Sequence, residues 1–189
     1  FGRFVDRLGG NYITAIDSGT TMEDMKTVAK VTSYVTGYSD QANCLSNPSY
    51  YTAKGVMESL LASVEFKYGC NNLHDKRIFV KGVGSVGSFM VKFLKERGAE
   101  VYITDIDTQR VKICSQATGA IPLMIRDVYS LDFDIICPCD VNYTITEDNI
   151  RNVSASIIVG ATNNQLKTDS LAKDLLMKEI LYCPDYVAN

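Results

Sequence analysis

A chain of 189 residues, 46% hydrophobic and 22% charged, has the composition of an ordinary globular protein with enough apolar residues for a core. Its net charge of −3 offers no basic footprint to nucleic acid or to an anionic membrane, and charges break its apolar runs short of a spanning length. Six scattered cysteines and no signal-peptide pattern at the start fit reduced thiols and a cytoplasmic location.

In chain order, FGRFVDRLGG reads as the last turns of a helix stopped by Gly9 and Gly10. Tyr12–Ile16 reads as a short strand ending at Asp17. Met22–Tyr34 reads as a helix, with Thr20 and Thr21 as caps and Glu23 and Asp24 in its first turn. The polar segment 37–47 has no periodicity and is a candidate hinge. Asn47 and Pro48 then open a long helix that ends at Gly69. From there strands and helices alternate. Strands are expected over Arg77–Lys81, Glu100–Thr104, Asp134–Cys137, Ala155–Val159 and Ile180–Tyr182, and helices over Ser85–Arg97, Thr108–Ala117 and Thr168–Lys178. The end, YCPDYVAN, carries no predicted helix, and both ends look like cuts through a larger fold. Continuous apolar strands between helices predict an α/β fold with a parallel sheet covered on both faces.

The strongest chemical signal is IFVKGVGSVGSFMVKFL. Gly82, Gly84 and Gly87 stand in G-x-G-x-x-G spacing, directly after a strand and opening a helix. In a Rossmann-type doubly wound sheet the first glycine permits the turn and the second lets a pyrophosphate approach the backbone. The third lets the helix pack on the strand, and the phosphate meets free amides at the helix start near Ser85. The next strand ends on Asp105, 105 − 82 = 23 residues past the first glycine, where a carboxylate can take ribose hydroxyls and repel a 2′-phosphate. Asp107 adds to that repulsion, Arg110 reads as a solvated helix residue, and the cofactor expected is NAD. Cys137-Pro138-Cys139 lacks a second cysteine pair at zinc spacing, and the chain has one histidine, so a buried apolar role is expected rather than a metal site.

With these motifs in order, the chain resembles the amino-acid dehydrogenases of the leucine, phenylalanine and valine type, relatives of glutamate dehydrogenase. The resemblance rests on FGRFV, YITAIDSGTTMEDM, YVTG, NPSYYTAKGV, VKGVGSVG, YITDID, ICPC, GATNNQL and PDYVAN. It implies that residues 1–40 are the C-terminal part of an α/β substrate domain and that 41–189 form an NAD-binding Rossmann domain, incomplete at its C-terminus. It also implies NAD-dependent oxidative deamination of an L-amino acid, a nonpolar one, to the 2-oxo acid and ammonia, and a homo-oligomer when the protein is complete.

By the same resemblance Asp17 is the catalytic acid/base, in a chemistry that needs a positioned proton carrier. Ala15, Thr36 and Asn163 face the substrate. Thr52 holds the nicotinamide carboxamide, and Cys137 and Pro138 pass the nicotinamide ribose. The cofactor side is completed by Gly82, Gly84, Ser85, Val86, Gly87, Asp105, Ile106 and Asn163. The family has a small apolar residue where this chain has Asp140, and a carboxylate there would alter cofactor fit. Two family lysines that bind the substrate carboxylate and act as base lie upstream of FGRF, outside the chain. Lys54 and Lys81 match structural positions instead, so the chain alone is expected to be nearly inactive.

Two other functions remain open to the sequence. One is a catalytically inactive NAD-binding module, which would have no need of Asp17. The other is a hydroxy-acid dehydrogenase, which would need a histidine base; His74 stands before the first strand of the nucleotide fold, an unsuitable place.

Overall fold

The computed structural model describes residues 1–17, 19–38, 47–124, 128 and 131–189, and the chain divides into two compact units, Phe1–Tyr51 and Thr52–Asn189. The expected boundary after residue 40 and most of the candidate hinge lie outside the described residues. In the first unit α1 (Gly2–Arg7) ends at Leu8, and Gly9 and Gly10 follow with φ of 58° and 91°, the left-handed values that glycine tolerates at a helix stop. α2 (Met22–Ala29) opens with a capping box. The Thr21 side chain accepts from the Asp24 amide and Asp24 Oδ2 accepts from the Thr21 amide at 2.8 Å.

Two expectations for this unit fail. The helix stops at Ala29 instead of Tyr34, and beyond it the Thr32 hydroxyl accepts the Tyr34 amide at 3.2 Å, a local bond that competes with helix. The strand over Tyr12–Ile16 shrinks to one parallel bridge, Thr14 with Val35, made by two bonds of 3.0 and 2.9 Å. Gly37, two residues past the bridge, has φ of 80°, outside the range of a strand.

α3 (Pro48–Tyr68) begins as expected, with Asn47 Oδ1 accepting the Ser49 amide at 3.1 Å. It turns Ala53, Val56, Met57, Leu60 and Val64 inward at helical spacing. The sheet comprises β1 (Arg77–Lys81), β2 (Glu100–Thr104), β3 (Ile121–Pro122), β4 (Ile135–Pro138), β5 (Ile157–Val159) and β6 (Leu181–Cys183). Its order is β3-β2-β1-β4-β5-β6 and all pairings are parallel. Helices α4 (Ser85–Glu96) and α5 (Thr108–Thr118) make the first crossovers; α6 (Leu171–Met177) precedes β6 and α7 (Asp185–Ala188) follows it.

Strand alternation divides the core into two layers. Ile78 and Val80 pack with α3 and α4 on one face, while Phe79 packs with Ile136, Ile158, Leu171 and Leu175 on the other. Each such fully buried side chain contributes about 1.5–3 kcal/mol of transfer free energy. Both faces are covered, which is why the strands read as continuous apolar runs. β3 and α7 were not expected: β3 is two residues long, and α7 is a single turn started by Pro184. α6 begins at Leu171 rather than Thr168 because Thr168 and Ser170 share a side-chain hydrogen bond in the turn ahead of it. Among the described residues no helix is long and apolar enough to cross a membrane.

Candidate functional site

The sheet order reverses between β1 and β4, so loops from their C-terminal ends diverge and leave a crevice, the place where doubly wound sheets bind ligands. The glycine turn lies there, and its three glycines are held for three reasons. Gly82 has φ of 95°, and a Cβ on it would come within 2.9 Å of the Asp140 main chain. A Cβ on Gly87 would run into the carbonyl of Gly82, so only glycine lets α4 sit this close to the turn. Gly84 differs: a Cβ there would meet nothing nearer than Arg110 Nη1 at 3.7 Å. The space over Gly84 is open to a ligand rather than filled by protein.

Gly84 is the N-cap of α4 and no side chain caps the helix, which leaves the first-turn amides of Ser85, Val86 and Gly87 unclaimed by a capping side chain. Ser85 is exposed and Val86 half-buried. Asp105, at the end of β2, accepts from the Val83 amide at 2.8 Å and from the Asp107 amide at 2.9 Å. These two bonds fix the carboxylate beside the glycine turn and leave lone pairs for further donors. A cavity next to it is lined by Phe79, Lys81, Thr104, Asp105, Ile106 and Asp140. Ile106 is 84% exposed, an apolar face with no protein packed on it. Open space over the second glycine, uncapped amides and a fixed carboxylate fit the pyrophosphate and ribose of a dinucleotide.

Several residues here were missed or read differently from sequence. Arg110 is exposed as expected, but its guanidinium reaches Gly84 and pairs with Asp107 at 3.4 Å. Asp107 is chiefly the N-cap of α5, accepting the Gln109 and Arg110 amides. Asp140 is not a loose carboxylate: its Oδ2 lies 3.0 Å from Lys81 Nζ. Thr162, buried and unremarked in the sequence, donates to the Asp140 carbonyl at 2.8 Å and its amide bonds the Pro138 carbonyl, tying the loop after β5 to the loop after β4. No local sequence pattern marks such a long-range contact.

Cys137 is fully buried in β4, and its Sγ lies 3.8 Å from that of Cys139. Hydrogen bonding with Cys139, then burial, pushes the Cys137 thiol well up. Pro138 is buried beside it, in contact with Gly160 of the loop after β5. Asn163 is exposed on that next loop, and Asn164 beside it takes φ of 54°, a turn-shaping conformation. Thr52 is half-buried near the start of α3.

The first unit holds the remaining candidates. Thr36 donates its amide to the Thr14 carbonyl, so Thr36 and Ala15 stand on adjoining segments and both are exposed. Asp17 closes a turn, but through its main chain. The Thr20 amide and hydroxyl donate to the Asp17 carbonyl at 2.9 and 2.8 Å, and the Asp17 amide donates to Thr20 Oγ1 at 2.9 Å.

Strand order and glycine turn together define a doubly wound α/β domain of the kind that binds nucleotides. The chain belongs to the glutamate/leucine/phenylalanine/valine dehydrogenase family, whose model matches residues 46–189. It is 41% identical over its full length to a leucine dehydrogenase of Bacillus subtilis, covering 52% of that protein. It is 37% identical to a valine dehydrogenase of Streptomyces virginiae, covering all of this chain and 54% of the relative. The crystal structure of L-tryptophan dehydrogenase from Nostoc punctiforme superposes with a TM-score of 0.75 at 34% identity, over 99% of this chain and 53% of that one. The chain thus spans about half the length of the relatives it matches.

Proposed function

We propose that this chain is part of a longer NAD-dependent dehydrogenase that converts a nonpolar L-amino acid and water to the 2-oxo acid and ammonia. The observation that supports it most is the open Gly84 turn beside the fixed Asp105 carboxylate, within a chain of this family. Bound there, NAD would accept the hydride from the substrate's α-carbon. The α4 amides of Ser85, Val86 and Gly87 would hold its pyrophosphate and Asp105 its ribose hydroxyls, with Ile106 against the adenosine. Thr52, Asn163 and the main chain at Cys137 and Pro138 would orient the nicotinamide half.

Asp17 would serve as acid/base at the substrate nitrogen, giving a proton to the departing amine, while the attacking water would lose its proton to the basic lysine that the resemblance places upstream. Bonds between the Asp17 main chain and Thr20 fix the backbone that carries this carboxylate. Ala15 and Thr36 would border the substrate. The complete protein would be a homo-oligomer, as the resemblance implies, and cytoplasmic, in keeping with its scattered cysteines.

Fluorescence titration with NADH and NADPH tests the cofactor, and NADH should bind more tightly. Oxidation of leucine, valine, phenylalanine and tryptophan by the complete protein tests the reaction. Equal or tighter NADPH binding refutes the cofactor assignment; a complete protein that binds NADH but oxidises no amino acid is a binding module.

A further inference from the structure

Among the described residues three ionisable side chains line the cavity beside the glycine turn: Lys81 at the end of β1, Asp105 at the end of β2 and Asp140 after β4. A cation that close to Asp105 ought to attract the 2′-phosphate that Asp105 repels. Its surroundings prevent this. Lys81 Nζ lies 3.0 Å from Asp140 Oδ2, donates to the Tyr143 carbonyl at 2.9 Å and reaches Thr144 Oγ1 at 3.5 Å. An ammonium has three N–H donors, so all three are directed at protein oxygens. The two side chains are 17% and 20% exposed, so solvent screens their pairing only in part.

Asp140 is held in turn. Thr162 donates to its carbonyl, and its Cα and Cβ lie 2.9 and 2.8 Å from the position of a Cβ on Gly82. The Asp140 main chain therefore sits against the turn itself, with its carboxylate on Lys81. Among the described lining residues the ionisable groups sum to one negative charge, +1 − 1 − 1.

We propose that the Lys81–Asp140 pair is a second determinant of cofactor choice, in which Asp140 masks the lysine so that Lys81 offers no free cation to a 2′-phosphate set against Asp105. The proposal rests on the reading of this crevice as an NAD site. It assigns Lys81 a role beyond the strand, and it turns Asp140 from an obstacle to the cofactor into a filter for it.

The test uses the ratio of NADPH to NADH dissociation constants in the complete protein, with thermal melts confirming that each variant folds. Asp140→Asn keeps the shape and a hydrogen-bond acceptor for Lys81 but deletes the charge; the ratio should fall at least about tenfold, mainly through tighter NADPH binding. Lys81→Met removes the cation and leaves the carboxylate, so the ratio should rise. Both shifts should shrink in high salt, as electrostatic effects do. A ratio unchanged within about twofold in Asp140→Asn, or a shift of the same sign in both variants, overturns the proposal. Should one variant not fold, the sign of the other alone decides. Failure of the underlying reading looks different: the unmodified protein itself would bind neither nucleotide or would prefer NADPH.

Discussion

Gly84→Ala separates the ligand role of the glycine turn from its structural role. The added Cβ meets nothing nearer than 3.7 Å, and the residue's φ of −71° is ordinary for alanine. The fold should therefore lose only what a poorer N-cap costs, up to about 1 kcal/mol. The methyl group would nevertheless occupy the space through which a pyrophosphate reaches the main chain. NADH affinity should fall at least about tenfold, or about 1.4 kcal/mol. Gly87→Ala gives the contrast. Its Cβ would collide with the Gly82 carbonyl and press Cys139 Cβ at 3.2 Å; a backbone obstacle cannot rotate aside. Overpacking of about 3 kcal/mol, less the roughly 1 kcal/mol by which alanine is the better helix former, leaves a loss of about 2 kcal/mol. For a chain of this size that lowers Tm by about 4–8 °C, against at most about 2–4 °C for Gly84→Ala. Thermal melts and NADH fluorescence titration on both variants provide the assay. Gly84→Ala binding NADH like the unmodified protein would show that the turn does not hold the cofactor.

Three further outcomes are expected. In the complete protein Asp17→Asn should lower kcat by about 100-fold or more while leaving stability and NAD affinity nearly unchanged, since asparagine is also a good turn former and keeps the main-chain bonds to Thr20; steady-state kinetics showing normal turnover would make Asp17 a turn residue only. The 189-residue chain alone should reduce NAD with amino acids at least about 100-fold more slowly than a complete enzyme, because the resemblance places the basic lysine elsewhere; full activity would mean that a lysine of this chain is the base. Burial, then Asp185, pushes the Tyr182 hydroxyl up to about 12, so the folded state resists its ionisation. The raised value means that this stabilisation is intact below pH 10 and is lost as pH rises from about 10 towards 12. Tyr182→Phe should flatten the alkaline fall in urea midpoint, and an identical fall in the variant would rule out that origin.

Local patterns determined much of this protein. Arg77–Lys81 and Glu100–Thr104 are strands with the bounds expected from sequence, because both are short apolar runs closed by turn residues. The capping by Thr21 and Asn47 was legible because it involves residues two or three positions apart. The glycine spacing and Asp105 marked the crevice for the same reason: each role depends on the backbone at its own position or on a fixed distance along the chain. Tertiary structure decided the rest. Tyr12–Ile16 has a strand's composition yet finds only one bridge, since a strand requires a partner of equal length. Ile121–Pro122 is a strand of the sheet only because Tyr102 and Ile103 lie beside it. Lys81 and Asp140, 59 positions apart (140 − 81), read as a structural lysine and a misplaced acid until the parallel pairing of β1 with β4 set them 3.0 Å apart. A charge acquires its role from the charges around it, and sheet register, not sequence neighbourhood, determines which those are.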